Sequence, residues 1–229
     1  MNILIVGLGN QGNKRIKLLK NDYYEIIDPI NKKANYKNFA EFKNYTKVNF
    51  EACIISCPDD KKYDYIIKCL NMNMNILVEK PLWFVNAKKF NNVNNILKKK
   101  NLICYTAYNH RFEPLIKKLK NYLDLKVIGD IYYLKLHYGN GTAKLVSQSE
   151  WKDKDIGVIK DLGSHQLDLL EFMFSKRFNN FIVTSKNKYE NKSYDYALIQ
   201  NKDKNFNIYL EMSYCMWKNS FNIDIIGEK

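Results

Sequence analysis

The sequence predicts an α/β chain in which a parallel sheet is followed by an α+β unit. Over the first hundred residues, short apolar runs of β type alternate with stretches of helical periodicity, the pattern of βαβ units around a parallel sheet. A glycine-rich turn directly follows the first of these runs. From Tyr108 onward strands come in succession, which favours a mostly antiparallel sheet. We therefore expect two domains, residues 1–107 and 108–229.

The first domain is predicted from short β-type runs and the helical patterns between them. The strands are expected at Asn2–Val6, Tyr24–Ile27, Ala52–Cys57, Ile76–Glu79 and Leu102–Ala107. The helices are expected near Asn13–Lys20, Lys61–Met72 and Asn86–Lys99. In the second helix the apolar side chains recur at helical spacing, so one of its faces should pack on the sheet.

The second domain is predicted to hold an open sheet with few helices. Its helices are expected at Pro114–Tyr122 and Ser164–Phe174. A long strand of alternating pattern, Gly129–Tyr138, should end in a loop at Gly139–Gly141. Four further strands are expected at Phe181–Ser185, Tyr194–Gln200, Phe206–Tyr214 and Phe221–Ile226.

The composition is that of an ordinary folded protein. Hydrophobic residues make up 46% and charged residues 27% of the chain, which excludes a disordered protein. No apolar run is long enough to span a membrane, and the first residues lack the features of a secretory signal. A soluble, cytoplasmic protein without a membrane partner is expected. The five cysteines show no CxxC spacing, so neither a disulfide framework nor a metal site is predicted.

The net charge of +13 raises the question of nucleic-acid binding. Only Arg15, Arg111 and Arg177 are arginines, so 37 − 3 = 34 of the basic residues are lysines. Readers of bases and phosphates favour the bidentate arginine fork, and lysine and asparagine are spread evenly along this chain. We expect no nucleic-acid partner. An even positive field would attract phosphate-bearing small molecules.

Gly7-Leu8-Gly9-Asn10-Gln11-Gly12 lies between the first strand and the first helix. In this context the first glycine permits a tight turn, the second lets the backbone approach a pyrophosphate, and the third allows close packing of helix on strand. The segment, with Asn10 and Gln11 among the expected cofactor contacts, leads into a helix whose N-terminus favours phosphate. The motif predicts a Rossmann dinucleotide-binding domain; the alternative is an ordinary glycine-rich turn.

Asp28 follows the second strand, 28 − 7 = 21 residues after the first glycine. A carboxylate there accepts hydrogen bonds from the adenosine ribose and repels a 2′-phosphate, which favours NAD over NADP. The alternative is a turn residue before Pro29. Lys32 and Lys33 follow closely and could partly restore NADP binding.

Two further segments carry candidate chemistry. Glu79-Lys80-Pro81 ends a strand at the edge where open α/β sheets bind ligands, although Lys80 could be a solvated charge. In Asp161-Leu-Gly-Ser-His165-Gln-Leu-Asp168 the two carboxylates lie one helical turn from the histidine on either side. A histidine so flanked can act as a general base. The alternative is a helix cap with a core histidine.

Together the segments GLGNQG, SCPDD, EKP, YNHRF and DLGSHQLD resemble the Gfo/Idh/MocA family of nicotinamide-dependent oxidoreductases over essentially the whole chain. The YGNGTA segment resembles members of surface-polysaccharide and nucleotide-sugar pathways. The resemblance implies a Rossmann domain joined to an α+β domain whose open sheet forms an oligomer interface. It also implies a cis peptide bond between Lys80 and Pro81.

The resemblance assigns roles to residues. Lys80 would contact the reacting hydroxyl, and Asp161 and His165 would border the substrate and the nicotinamide. Asn109 and Arg111 would bind substrate or form hydrogen bonds between the domains. The expected cofactor-binding residues are Gly7, Gly9, Asn10, Gln11, Gly12, Asp28, Cys57, Pro58, Glu79 and Lys80.

The chain also departs from the family pattern. The glycine run before the second motif keeps only Gly157, and Lys62 or Tyr63 takes the place of a frequent histidine. The last predicted strand is followed in most relatives by a further segment. Trp83 and Trp151 would wall the substrate cleft or fill the core.

Two hypotheses on function follow. In the first, the chain transfers a hydride between NAD(H) and a secondary alcohol or ketone of a sugar, nucleotide-sugar or polyol, with Lys80, Asp161 and His165 as catalytic residues. In the second, it binds NAD without turnover. A homo-oligomer is expected through the second-domain sheet, because without the usual following segment this sheet should expose an unpaired edge or an uncovered apolar face. Its last two strands carry alternating apolar residues that would form such a face. These residues are Ile208, Leu210, Met212, Phe221, Ile223 and Ile225.

Overall fold

The computed structural model describes residues 1–82, 84, 86–202 and 206–229. They form two compact units, Met1–Ala107 and Tyr108–Lys229. None of the helices in these ranges combines the length and the apolar character that crossing a membrane requires.

Strands and helices alternate through the first unit. The strands are β1 (Asn2–Val6), β2 (Tyr23–Ile27), β3 (Ala52–Ile55), β4 (Asn75–Val78) and β5 (Cys104–Thr106). The helices are α1 (Asn10–Ile16), α2 (Phe39–Tyr45), α3 (Asp59–Asn71) and α4 (Ala87–Lys100). Within the described residues all strand pairs of this sheet are parallel, in the order β2-β1-β3-β4-β5. The predicted Rossmann-type parallel sheet is confirmed.

Both faces of this sheet are covered. Leu4 and Val6 of β1 pack into one apolar cluster, and Ile3 and Ile5 pack into a second. Successive side chains of a strand point to opposite faces, so the two clusters lie on the two sides of the sheet. A parallel sheet buried on both faces needs near-continuous apolar strands, which is why β1 reads NILIV.

The second unit contains one sheet and three α-helices among its described residues. The helices are α5 (Pro114–Asp124), α6 (Ala143–Ser147) and α7 (Val158–Phe174), and a 3-10 turn spans His110–Phe112. The strands are β6 (Ile131–Gly141), β7 (Phe181–Asn187), β8 (Tyr196–Lys202), β9 (Asn207–Ser213) and β10 (Cys215–Gly227). Their order is β10-β6-β9-β8-β7. Among the described strands of this second sheet, only β6 and β9 pair in parallel, which confirms the mostly antiparallel sheet.

Helix α7 covers one face of this second sheet. Leu134 and Leu136 of β6 and Leu169 and Leu170 of α7 are inaccessible to solvent and share one core. Gln166 of α7 is also fully buried, and it is fixed to the sheet by its amide. Its Nε2 atom donates hydrogen bonds to the Leu136 and Glu211 carbonyl oxygens at 3.1 and 2.7 Å.

Several predicted bounds were wrong. The expected loop at Gly139–Gly141 continues β6, because Gly139 and Gly141 pair with Ser220 and Cys215 of β10. Helix α7 begins at Val158, six residues before the predicted Ser164, since 164 − 158 = 6. Helices α2 and α6 were not predicted, because 7 and 5 residues are too few to show a helical period.

The prediction that this sheet has an uncovered apolar face was also wrong. Ile208, Leu210 and Met212 are fully buried, because they face α7 within the same chain. Phe221, Ile223 and Ile225 of β10 pack against the same core. The opposite face of the sheet is more polar. It carries Tyr133, Lys135, His137, Tyr209 and Glu211.

Candidate cofactor and catalytic sites

Four predicted cofactor-binding segments emerge at one edge of the first sheet. Val6 of β1 pairs with Ile27 of β2 and with Ile55 of β3, and Ile55 pairs with Val78 of β4. The residues that follow these strands therefore leave the sheet side by side at its carboxyl edge. They are Gly7–Gly12, Asp28, Cys57–Pro58 and Glu79–Lys80.

Each of the three glycines of the first segment is required for a different structural reason. Gly7 has a φ of +91°, and a Cβ atom there would lie 2.8 Å from the Ser56 carbonyl oxygen. A Cβ on Gly12 would lie 2.1 Å from the Gly7 carbonyl oxygen, so only glycine lets α1 start this close to β1. A Cβ on Gly9 would meet nothing within 4 Å among the described atoms. The backbone at Gly9 thus faces open space, where a ligand can approach it closely.

Asp28 is tied to the same loop. Its Oδ2 atom accepts a hydrogen bond from the Leu8 amide at 2.7 Å, and Oδ1 accepts from the amides of Ile30 and Asn31 at 2.9 and 2.8 Å. Burial raises the pKa of this carboxyl group, but the three backbone donors and the charge of Lys37 outweigh burial and lower it. Asp28 is both a turn residue and an anion beside the glycine loop. A carboxylate has about four acceptor positions, so it retains capacity for a ligand hydroxyl.

The residues after β3 and β4 form the other part of this carboxyl edge. Arg15 of α1 donates from Nε to Glu79 Oε1 at 2.6 Å, which connects the glycine-loop helix to the Glu79-Lys80-Pro81 segment. The peptide bond between Lys80 and Pro81 is cis, as expected. Cys57 is half-buried, and burial raises the pKa of its thiol to about 12, so it stays a neutral thiol.

Lys62 was not predicted as a functional residue. It lies in the first turn of α3 and is 3% exposed, and its Nζ donates to the carbonyl oxygens of Glu79 and Pro81. The family resemblance indicates only that Lys62 or Tyr63 occupies the position of a frequent histidine. The missed signal was a lysine four residues after Pro58, at the start of a helix that packs on the sheet.

The edge fits a dinucleotide. The first amides of α1 have no acceptor within the helix, because the first turn of any helix leaves its N–H groups unpaired. The open approach at Gly9 leads to these amides, and the Asp28 carboxylate lies on the β2 side of the same loop. Amide donors suit a pyrophosphate and a carboxylate suits ribose hydroxyls. The amide donors and the carboxylate acceptor therefore match the two polar parts of NAD.

In the second unit, Asp161 and His165 lie one turn apart on α7. Asp161 Oδ2 accepts a hydrogen bond from the Tyr214 hydroxyl at 3.1 Å. Tyr214 is 2% exposed, and burial together with the Asp161 carboxylate raises the pKa of its phenol far above the ordinary value. Tyr214 therefore remains a donor at every working pH. It was missed because it directly follows a strand, 53 residues after its partner.

His165 lies in an aromatic cluster. It is 5% exposed, and its ring centroid lies 4.9 Å from that of His110, 5.5 Å from Tyr108 and 5.9 Å from Tyr138. His110 also stacks on Phe221 and shares a hydrogen bond of 2.6 Å with the Glu113 carboxylate through Nδ1. These rings hold the imidazole of His165 in one orientation on α7.

The remaining candidates have different surroundings. Arg111 forms two hydrogen bonds with the Asp168 carboxylate, one of them from Nε at 2.7 Å. Asp168 thus joins α7 to the 3-10 turn, a role the motif spacing did not predict. Asn109 is exposed and precedes that turn. Trp151 is 50% exposed, and Trp83 lies outside the described residues.

Comparison with known proteins agrees with both units. A model described as the oxidoreductase family with an NAD-binding Rossmann fold matches residues 1–108. The model of the GFO/IDH/MocA C-terminal domain matches residues 116–229. The first unit is accordingly an NAD-binding Rossmann domain.

Individual relatives are distant. An uncharacterized oxidoreductase of Schizosaccharomyces pombe is 28% identical over 57% of this chain and 37% of its own length. The glucose-6-phosphate 3-dehydrogenase of Bacillus subtilis is 22% identical over 78% of this chain and 55% of its own length. The chain thus spans about a third to a half of the length of these two curated relatives.

Solved structures share the fold. The WlbA dehydrogenase of Bordetella pertussis, crystallised with NADH and UDP-GlcNAcA, aligns with a TM-score of 0.85 at 13% identity over 100% of this chain and 77% of that one. The scyllo-inositol dehydrogenase of Lactobacillus casei aligns with a TM-score of 0.83 at 16% identity over 99% and 72% of the two chains. With both domain models matched in order, the chain belongs to the Gfo/Idh/MocA family of oxidoreductases.

Proposed function

We propose that this chain transfers a hydride between NAD(H) and a secondary alcohol or ketone of a sugar, nucleotide-sugar or polyol. The observation that carries the proposal is the Asp161–His165 pair on α7, with a buried imidazole one turn after a carboxylate that is itself hydrogen-bonded. Relatives named for glucose-6-phosphate and for inositol support this substrate class. Bound NAD would supply the hydride acceptor.

We assign proton transfer to His165. Oxidation of an alcohol releases a hydroxyl proton, and an imidazole can accept it near neutral pH. The aromatic rings around His165 limit its rotation, so its nitrogen atoms keep fixed directions. Positioned proton transfer contributes about 10²–10⁴ in rate, so loss of the imidazole should be severe but not total.

We assign charge stabilisation to Lys80 and orientation to Asp161. As the hydroxyl proton leaves, negative charge develops on the substrate oxygen, and an ammonium group stabilises it. Asp161, whose Oδ2 atom accepts from Tyr214, would fix the substrate or the imidazole. Asn109 and Arg111 remain proposed substrate contacts, although the Asp168 pair restricts Arg111.

The test is a screen of sugars, polyols and nucleotide-sugars, including those of surface polysaccharides, for NADH formation. With a substrate found, His165→Ala and Lys80→Ala should lower kcat by about 10²-fold or more while the Kd for NAD, measured by calorimetry, stays close to that of the wild type. His137→Ala and Lys61→Ala are matched controls. His137 pairs with Glu211 on the far face of the second sheet, and the Lys61 side chain is 64% exposed.

The screen also distinguishes the second hypothesis. A chain that binds NAD but reduces none of it with any of these substrates would be a binding protein without turnover. Near-full activity of His165→Ala would instead keep the reaction and remove the assigned base.

A further inference from the structure

A buried ammonium group lies behind the Glu79-Lys80-Pro81 segment. Lys62 Nζ lies 2.6 Å from the Glu79 carbonyl oxygen and 2.8 Å from the Pro81 carbonyl oxygen. Its third partner is Asp59 Oδ1 at 2.8 Å. An ammonium group has three N–H donors, so these acceptors use all of them.

The position of this lysine is unfavourable apart from those contacts. Lys62 lies in the first turn of α3, where the helix dipole disfavours positive charge. Burial lowers the pKa of its amine, and the Asp59 carboxylate acts in the opposite direction. A methionine of similar length would fill the same space without either cost. The contacts with Asp59 and the two carbonyl groups are therefore what stabilises a lysine here.

We propose that Lys62 is a positioning residue for Lys80. The two carbonyl groups that it binds belong to the residues on either side of Lys80, so the backbone is held before and after that residue. The start of α3 thereby fixes where the Lys80 side chain leaves the backbone. The inference rests on the proposed function, in which Lys80 stabilises the developing charge.

Lys100 provides a matched control in the same unit. Its Nζ atom donates to the carbonyl oxygens of Leu70 and Asn71 and to Asn73 Oδ1, at 2.9, 3.0 and 2.8 Å. It thus makes the same kind of contacts at the opposite end of α3. Lys100→Met should lower stability without affecting the segment around Lys80.

The first measurement is hydrogen exchange of peptides covering residues 79–82, which needs no substrate. Lys62→Met should speed exchange there by about tenfold, because two hydrogen bonds that hold the segment are lost. Lys62→Arg, which keeps donors and charge, should recover most of the protection. Lys100→Met should leave these peptides unchanged. Equal exchange in Lys62→Met and the wild type would overturn the proposal.

The second measurement is steady-state kinetics with a substrate from the screen. Lys62→Met should lower kcat by about 10- to 100-fold with little change in the Kd for NAD, since a displacement of about 1 Å can cost 10² in rate. An unchanged kcat in Lys62→Met, with Lys80→Ala inactive, would overturn the positioning role alone. Full activity of Lys80→Ala would remove the role proposed for Lys80, and with it the positioning role of Lys62 in catalysis, whereas the exchange result would still report the anchor.

If Lys62→Met does not fold, a second substitution, Lys62→Gln, still tests the proposal. Lys62→Gln keeps an N–H donor in a neutral side chain and should give intermediate exchange and intermediate kcat. If Lys62→Gln and Lys62→Arg both match the wild type in exchange but not in kcat, the proposal is wrong. The Tm of each variant, compared with that of Lys100→Met, separates a general loss of stability from a local one.

Discussion

The Tyr214 hydroxyl donates a hydrogen bond to Asp161 Oδ2 at 3.1 Å. Tyr214 directly follows β9, and its own amide donates to the Asp195 carbonyl oxygen at 2.8 Å. The backbone of the sheet thus fixes the phenol, and the phenol fixes the carboxylate on α7. Because Tyr214 is buried, water does not readily replace it as the donor.

Tyr214→Phe should therefore lower kcat with less effect on stability. The variant keeps the ring and removes only the hydroxyl oxygen, so the free energy of unfolding should fall by only about 1 kcal/mol. We expect about a tenfold lower kcat, because Asp161 loses its fixed orientation. Urea unfolding and steady-state kinetics measure the two effects. Tyr196→Phe is the control, since that hydroxyl binds Glu211 instead. Equal kcat in both variants would argue against a role in orientation.

Arg15 and Glu79 form a mostly buried ion pair across the cofactor edge. Their side chains are 28% and 11% exposed. Arg15→Met should destabilise the chain by about 1–3 kcal/mol, because it leaves the Glu79 carboxylate buried without this partner. A double-mutant cycle with Glu79→Gln, measured by urea unfolding, isolates the pair. A coupling free energy near zero would show that the two side chains act independently.

Asp28 should determine the choice of dinucleotide. NAD is expected to bind more tightly than NADP, because a 2′-phosphate would approach a carboxylate whose pKa is lowered and which is therefore charged. Calorimetry with both dinucleotides measures the preference. Asp28→Ala should weaken NAD binding and reduce the difference between the two. Equal affinities in the wild type would contradict the assignment.

Asp28 should also affect the acid stability of the chain. Its pKa in the folded state lies below the ordinary value of 3.8, so its contribution to stability is present above pH 3.8 and is lost as the pH falls through the lowered pKa. The wild type should have a higher Tm than Asp28→Asn near neutral pH. The difference should shrink below pH 3.8. Asp153, whose pKa is lowered too, is unchanged in both proteins and does not affect the difference. A Tm difference independent of pH would exclude this linkage.

The outer face of the second sheet is the proposed surface for a homo-oligomer. The apolar residues first expected there are buried against α7, so an interface would use the polar and aromatic side chains of the opposite face. Light scattering after size exclusion should give a mass above 27.2 kDa. Tyr209→Glu should shift the mass toward the monomer, whereas Leu18→Glu, at an exposed position of the first unit, should not. A monomer at every micromolar concentration would remove the proposal.

The sequence predicted strands, helices and short motifs better than it predicted which distant side chains contact each other. The glycine loop, Asp28 and the Lys80–Pro81 segment are short motifs whose positions at strand ends follow from periodicity and turn chemistry. Arg15, Lys62 and Tyr214 could not be found in this way, because their partners lie 64, 17 and 53 residues away. The face of β9 was misassigned for the same reason. Alternation shows that a strand has an apolar side, but it does not show which element covers that side.

Strand β6 lies between β9 and β10, two strands that follow each other directly in the chain. His137 and Glu211, paired neighbours of β6 and β9, are 74 residues apart. During synthesis both edges of β6 therefore lack a partner strand until residues 207–227 have been made. Such distant pairings slow folding and leave a strand available to other chains. Helix α7, made in between and anchored to β6 through Gln166, would protect one face of the waiting strand but neither edge.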